Sequence, residues 1–167
     1  MINRMRQLWA PWRMEFIKGE KPSECFLCQA AAAEPARDDE LRIVARTKKS
    51  LAIMNRFPYN NGHLLVAPRS HLARLDELDQ ESAIDLTLLT QLALRALQAA
   101  LHPDGFNIGI NQGKVAGAGV ADHVHQHIVP RWDGDTNFMP VLGDVKVMNQ
   151  HLDSSFKEIR AQFERTT

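Results

Sequence analysis

The chain has 167 residues, 44% of them apolar, which is enough for one sizeable core, and its length favours a single domain over residues 1–167. Lysine plus arginine and aspartate plus glutamate each total 20, so the net charge is zero and nothing draws the molecule as a whole to nucleic acid or an anionic membrane. The opening MINRMRQLWAPWRMEF lacks the unbroken apolar run of a signal peptide or membrane span, which gives a cytoplasmic address by default.

Residues 1–24 carry Trp9 and Trp12 beside Pro11 and Pro22 and read as an irregular arm pinned by aromatic burial. Cys25 and Cys28 follow, the only cysteines. Their spacing suits half of a tetrahedral zinc site, a redox pair, or two buried thiols. Residues 29–40, alanine-rich and then acidic, read as a brief helix or loop ending near Pro35. Three β-type runs come next, Leu41 to Thr47, Ser50 to Asn55 and His63 to Pro68, and predict an antiparallel meander. Asp79 caps a predicted helix from Gln80 to about Leu101, with Ile84, Leu88, Leu89, Leu92, Leu97 and Leu101 at helical spacing and His102-Pro103 as its stop. Two further strands, Gly105 to Asn111 and His123 to Pro130, flank a glycine-rich loop, and residues 145–167 form a helical tail with Val147, His151, Phe156, Ile159 and Phe163. The fold class is α+β: an antiparallel sheet of about five strands, one long helix and a C-terminal helix.

The chemistry gathers in HVHQH. In a strand, the period of two puts His123, His125 and His127 on one face. Such a row can hold an open catalytic zinc, or its middle imidazole can attack phosphorus, being nucleophilic when neutral near pH 7. The loop just upstream, GKVAGAG with Lys114, Gly117 and Gly119, favours the second use, because small residues let backbone N–H groups approach phosphate oxygens.

DHVHQHIVPRW resembles the signature of the histidine triad superfamily, three histidines alternating with apolar residues. NRFPYNNGHLLVAPRSH is similar to the family's ribose-contact segment, GFNIGINQG to its phosphate-contact strand, and ECFLC to a zinc half-site of bacterial members. LWAPWRMEF and PRWDGDTNF resemble the branch that phosphorolyses diadenosine tetraphosphate. The resemblance implies His125 as nucleophile, His127 on the scissile phosphate, Asn55 on the ribose and Asn111 on a phosphate. Gln112 is an alternative for the last contact, because the loop is a residue longer than in some relatives. It also implies one structural zinc per chain on Cys25, Cys28, His71 and His123, a homodimer with a ten-stranded sheet, and magnesium accompanying the polyphosphate.

The implied reaction gives ATP, and then ADP if inorganic phosphate takes the adenylyl group or AMP if water does. A dinucleoside polyphosphate or nucleoside phosphoramidate hydrolase is the alternative, and a zinc-stabilised nucleotide binder without turnover belongs to a different class. Gln126 stands at a normally apolar triad position, and Gly119 where many relatives carry serine. Trp132 either closes over the substrate or fills the core, and His63 is either a partner of the triad or a satisfied core histidine.

Overall fold

Short apolar runs build the central strands, which are buried on both faces, and their register decides which side chains share a face. The computed structural model describes residues 24–136, 148 and 150–166. The expected N-terminal arm, with Trp9 and Trp12, lies outside the described residues except for Glu24, as do Val145 and Val147 of the tail. Strands β1 (Ile43–Arg46), β2 (Ser50–Met54) and β3 (Leu64–Pro68) form the meander, and β4 (Gly105–Ile110) and β5 (Gln126–Arg131) extend it. The result is a five-stranded antiparallel sheet in the order β1-β2-β3-β5-β4. Among the described residues the α-helices are α1 (Phe26–Ala32), α2 (Asp38–Leu41), α3 (Gln80–Leu101) and α4 (Leu152–Thr166). This is the predicted α+β arrangement.

Strand alternation divides the core in two. Ala52, Met54, Leu64, Val66 and Ile128 face α3 and α4, where Leu86, Leu89, Ala93, Ala96, Leu97, Phe156, Ile159 and Phe163 cover them. Leu51, Ile53, Leu65 and Ala67 face the other way and pack with Leu27, Ala30 and Ala31 of α1. That helix covers only part of its face, and the remainder is open to a ligand.

Several expected boundaries and faces move. β1 starts at Ile43 because Leu41 closes α2, and Arg42 then adopts a left-handed conformation (φ 56°) that ends the helix. α3 runs over the predicted span, with Asp79 accepting from the Ser82 N–H at 2.6 Å and His102 at φ 47° as its C-cap. Its buried stripe is Leu86, Leu89, Ala93, Ala96 and Leu97, while Ile84 and Leu88 of the predicted stripe are 51% and 57% exposed. The alanines decide this, since small side chains let the helix axis approach the sheet. α3 is also long and apolar enough to cross a membrane by length and composition.

The triad strand begins three residues later than predicted, at Gln126, so His123 and His125 lie in the approach to β5. The turn before β3 needs glycine: Gly62 has φ +71°, and a Cβ there would meet Leu101 Cδ1 at 2.4 Å. That turn delivers His63 to the face carrying His127.

Candidate active site and metal centre

A cavity of about 420 Å³ opens on the α1 side of the sheet, within the range of small-ligand sites. Its floor follows from register: Ile53 pairs with Leu65 and Leu65 with His127, so Ile53, Asn55, Leu65, His125 and His127 share one face. Phe26, Gln29 and Ala30 of α1 form one wall, and Gly117, Gly119 and Val120 of the glycine-rich loop another. Arg37, Glu40 and Arg56 bring charge to an otherwise largely apolar lining.

Hydrogen-bond partners assign the imidazole protons. His125 Nδ1 lies 2.9 Å from the His123 carbonyl oxygen, which can only accept, so Nδ1 carries the proton. Burial pulls the His125 pKa below its ordinary value, against that hydrogen bond, and the neutral ring keeps a lone pair on Nε2. His127 is set the other way through His63. The Tyr59 N–H donates to His63 Nδ1 at 3.0 Å, so His63 carries its proton on Nε2 and donates to His127 Nδ1 at 2.9 Å. His127 therefore bears its proton on Nε2. With ring centroids 5.0 Å apart, His125 offers a nucleophilic nitrogen and His127 an N–H donor beside it. Asn55 is anchored in the same network, its Oδ1 accepting from the Phe57 N–H at 2.9 Å and its Nδ2 lying 3.3 Å from His63 Nδ1.

His123 turns away from this pair. It is fully buried, donates from Nε2 to the Pro68 carbonyl at 2.9 Å, and directs Nδ1 at Cys25 and Cys28 Sγ, 3.4 and 3.5 Å away. Cys28 Sγ lies 3.1 Å from His71 Nδ1, and the four ligand atoms fall within 4.8 Å of one another. Tetrahedral bonds to zinc of about 2.3 Å from sulfur and 2.0–2.1 Å from nitrogen put neighbouring S and N atoms about 3.6 Å apart, so the cluster is close to the size the ion requires. The Pro68 contact leaves His123 Nδ1 unprotonated, as a ligand must be. Burial and the adjacent Cys25 push the Cys28 thiol up. The open catalytic zinc on three triad histidines is not what forms: His123 belongs to the cysteine cluster, the only metal-competent Cys, His, Asp and Glu group among the described residues.

Other expected residues lie elsewhere. Asn111 follows Ile110, which pairs with Gln126, so it continues the ladder opposite His125 but is not among the residues lining the cavity. Gln112 Oε1 accepts from the Leu75 N–H at 2.8 Å, and Lys114 opens a 3-10 turn outside the lining. Trp132 sits at the opposite end of β5, donating its indole N–H to the Leu101 carbonyl at 3.3 Å, which is a packing position. Of the two alternatives the sequence leaves for His63, its bond to His127 selects the triad partner, while nothing in the sequence points to Tyr59 or the α1 wall. The parity of His63 with His127 carries the first signal, but it is readable only once the pairing of β3 with β5 is known.

Residues 37–134 match the model of the HIT domain. This chain belongs to the HIT family. The HIT chain is 34% identical to an AP-4-A phosphorylase of Mycobacterium tuberculosis over 98% of its own length and 87% of the relative's. It is 38% identical to an adenosine 5'-monophosphoramidase of Schizosaccharomyces pombe, over 53% of this chain and 62% of that one. Among solved structures it resembles a zinc-bound histidine triad family protein from Mycobacterium smegmatis, with a TM-score of 0.65 and 27% identity over 86% of this chain and 95% of the other.

Proposed function

We propose that this HIT-family enzyme cleaves diadenosine tetraphosphate by phosphorolysis through an adenylyl-histidine intermediate, releasing ATP and then ADP. The observation that carries the reading is the opposed pair of nitrogens in one cavity, the His125 Nε2 lone pair beside the His127 Nε2–H. His125 Nε2 attacks the α-phosphorus, the bond from phosphorus to the bridging oxygen breaks, and ATP leaves. An oxygen of inorganic phosphate then attacks the same phosphorus, the P–N bond breaks, and ADP forms. His127 and the amides of Gly117 and Gly119 meet the charge that grows on the nonbridging oxygens, and Asn55 meets the ribose.

Cys25, Cys28, His71 and His123 hold one structural zinc, which anchors α1 to the sheet. The clustered donors among the described residues are sulfur and nitrogen, which suit zinc and lend no support to the magnesium expected with the substrate. We further place two copies edge to edge, a reading supported by β4, an edge strand with Ile108 47% exposed at its centre. Two cysteines joined by no disulfide support a reducing, cytoplasmic address.

Likeness to the monophosphoramidase supports a second reading, in which water resolves the same intermediate and AMP is released. Product analysis separates the two. Phosphorolysis predicts ADP plus ATP from diadenosine tetraphosphate in millimolar phosphate, with acid-labile label trapped on His125. AMP plus ATP with a rate indifferent to phosphate replaces it by hydrolysis, and absence of any label on His125 refutes both.

A further inference from the structure

We infer that metal binding at Cys25, Cys28, His71 and His123 and nucleotide binding in the cavity are positively coupled through α1 and His123, so that occupancy of the metal site sets the affinity for nucleotide. The inference rests on reading the cavity as a nucleotide site.

α1 is a helix with three obligations. Leu27, Ala30 and Ala31 are buried against the sheet, Cys25 and Cys28 join the metal cluster, and Phe26, Gln29 and Ala30 wall the cavity. Only seven residues long, it has no side-chain cap at Cys25 and no acidic residue in its first turn. Helices shorter than about 12 residues are marginal on their own, so tertiary contacts must fix its position. The sheet-facing contacts run from Leu27, in its first turn, to Ala31 at its end. The first turn, which carries Phe26, is fastened by the cysteines at either side of it.

A second connection reaches the floor of the cavity. His123 is a cluster member, and its carbonyl oxygen holds the Nδ1–H of His125 at 2.9 Å. The next residue, Val124, donates its N–H at 2.6 Å to the carbonyl of Leu72, the neighbour of the cluster's His71. The same four ligands therefore position a wall and a floor residue of the cavity. Withdrawing their shared centre leaves the first turn of α1 held by Leu27 alone and loosens the approach to β5 with it, so both surfaces that a nucleotide touches lose definition. Linkage makes the effect reciprocal: a nucleotide that packs against Phe26 and His125 tightens the metal site by the same factor.

The test uses AMP as the probe. Calorimetry on zinc-loaded and chelator-treated protein should give a Kd for AMP about tenfold weaker without metal, inside the roughly 5–150-fold span of such couplings. Hydrogen exchange should rise at residues 26–32 while β2 and β3 stay protected. In the converse arm, zinc is transferred from the loaded protein to a chromophoric chelator, and saturating AMP should raise the apparent zinc affinity by the same factor. That arm decides the matter even where the metal-free chain does not stay folded. Equal AMP affinity with and without zinc, or zinc affinity indifferent to AMP, overturns the coupling while the nucleotide reading stands. A chain that takes up no zinc overturns the coupling too, and failure of the zinc-loaded protein to bind AMP overturns both.

Discussion

Upstream of β5 the chain is held by groups that can change state, two thiols and two imidazoles around His123, whereas downstream it is held by fixed charge. There Asp135 accepts from Arg131 Nε at 2.6 Å and from a terminal guanidinium nitrogen at 2.8 Å, while also accepting from Asn60 Nδ2 at 2.9 Å and the Trp132 N–H at 3.2 Å. Arg131 reaches across to Asn107 Oδ1 at 2.7 Å, and Asn60 also donates to the Pro130 carbonyl at 3.0 Å. The downstream knot uses every donor it can to fix register. The upstream region fixes His125 by one nitrogen and leaves the other to react. A positioning group can be held by all its atoms, but a reacting group has to be held by fewer.

The largest effect expected from breaking this contrast is at the reacting atom. His125→Ala should lower turnover of diadenosine tetraphosphate by at least about 10³-fold, as removal of a nucleophile does elsewhere. Circular dichroism and zinc content should be unchanged. Turnover within tenfold of wild type would remove the upstream region from the chemistry altogether.

Next comes the metal. Purified, chelator-free protein should contain about one zinc per chain by elemental analysis. Cys28→Ser should lose that zinc and lower Tm by at least about 5 °C, given about 2–4 °C per kcal/mol for a chain of this size. Full zinc content in the variant would show that the cluster is not the ligand set.

A smaller effect belongs to His63, which acts through His127 as a positioning residue. His63→Leu removes the N–H that keeps His127 Nδ1 unprotonated, and kcat should fall about 10–100-fold with KM little changed. His63→Gln can offer an amide N–H in its place and should recover part of the loss. Equal kcat in the two variants would reduce His63 to a core residue.

The same contrast explains what could be read from sequence. The strands were legible as short apolar runs bounded by turn residues, and Cys25, Cys28, His71 and His123 could be grouped because the resemblance supplied what spacing alone leaves open. That His123 is the one of three alternating histidines to leave the row came from the resemblance and not from the alternation. His123 leaves because Pro68, 55 residues away, accepts its Nε2–H, and no local pattern records that contact. Ile84 and Leu88 misled because α3 carries two apolar stripes and only the one rich in alanine fits the sheet. Trp132 stayed open between substrate and core because it follows the triad closely in sequence, but the six-residue strand Gln126–Arg131 carries it to the far end of the sheet.

The smallest effect expected is at the downstream knot, where the contrast predicts a change in stability without a change in chemistry. Asp135→Asn keeps the size of the side chain and removes the charge that meets Arg131. A side chain only 8% exposed and accepting several hydrogen bonds should contribute about 1–2 kcal/mol to stability at pH 7. The sign of its pH dependence follows from the direction of its shift. Arg131 holds the Asp135 carboxyl well below the usual carboxylate range, so the folded state binds its proton less readily than the unfolded chain does. The contribution is complete above the unfolded value of about 3.9 and is lost as the pH falls toward the folded one. Urea midpoints at pH 7, 5 and 3 should therefore show a gap between wild type and Asp135→Asn that is constant at the first two and narrower at the third. Turnover at pH 7 should match wild type. A gap independent of pH would mean that the carboxylate's charge does not hold the knot, and lost turnover with zinc intact would mean that register at one end of β5 governs chemistry at the other.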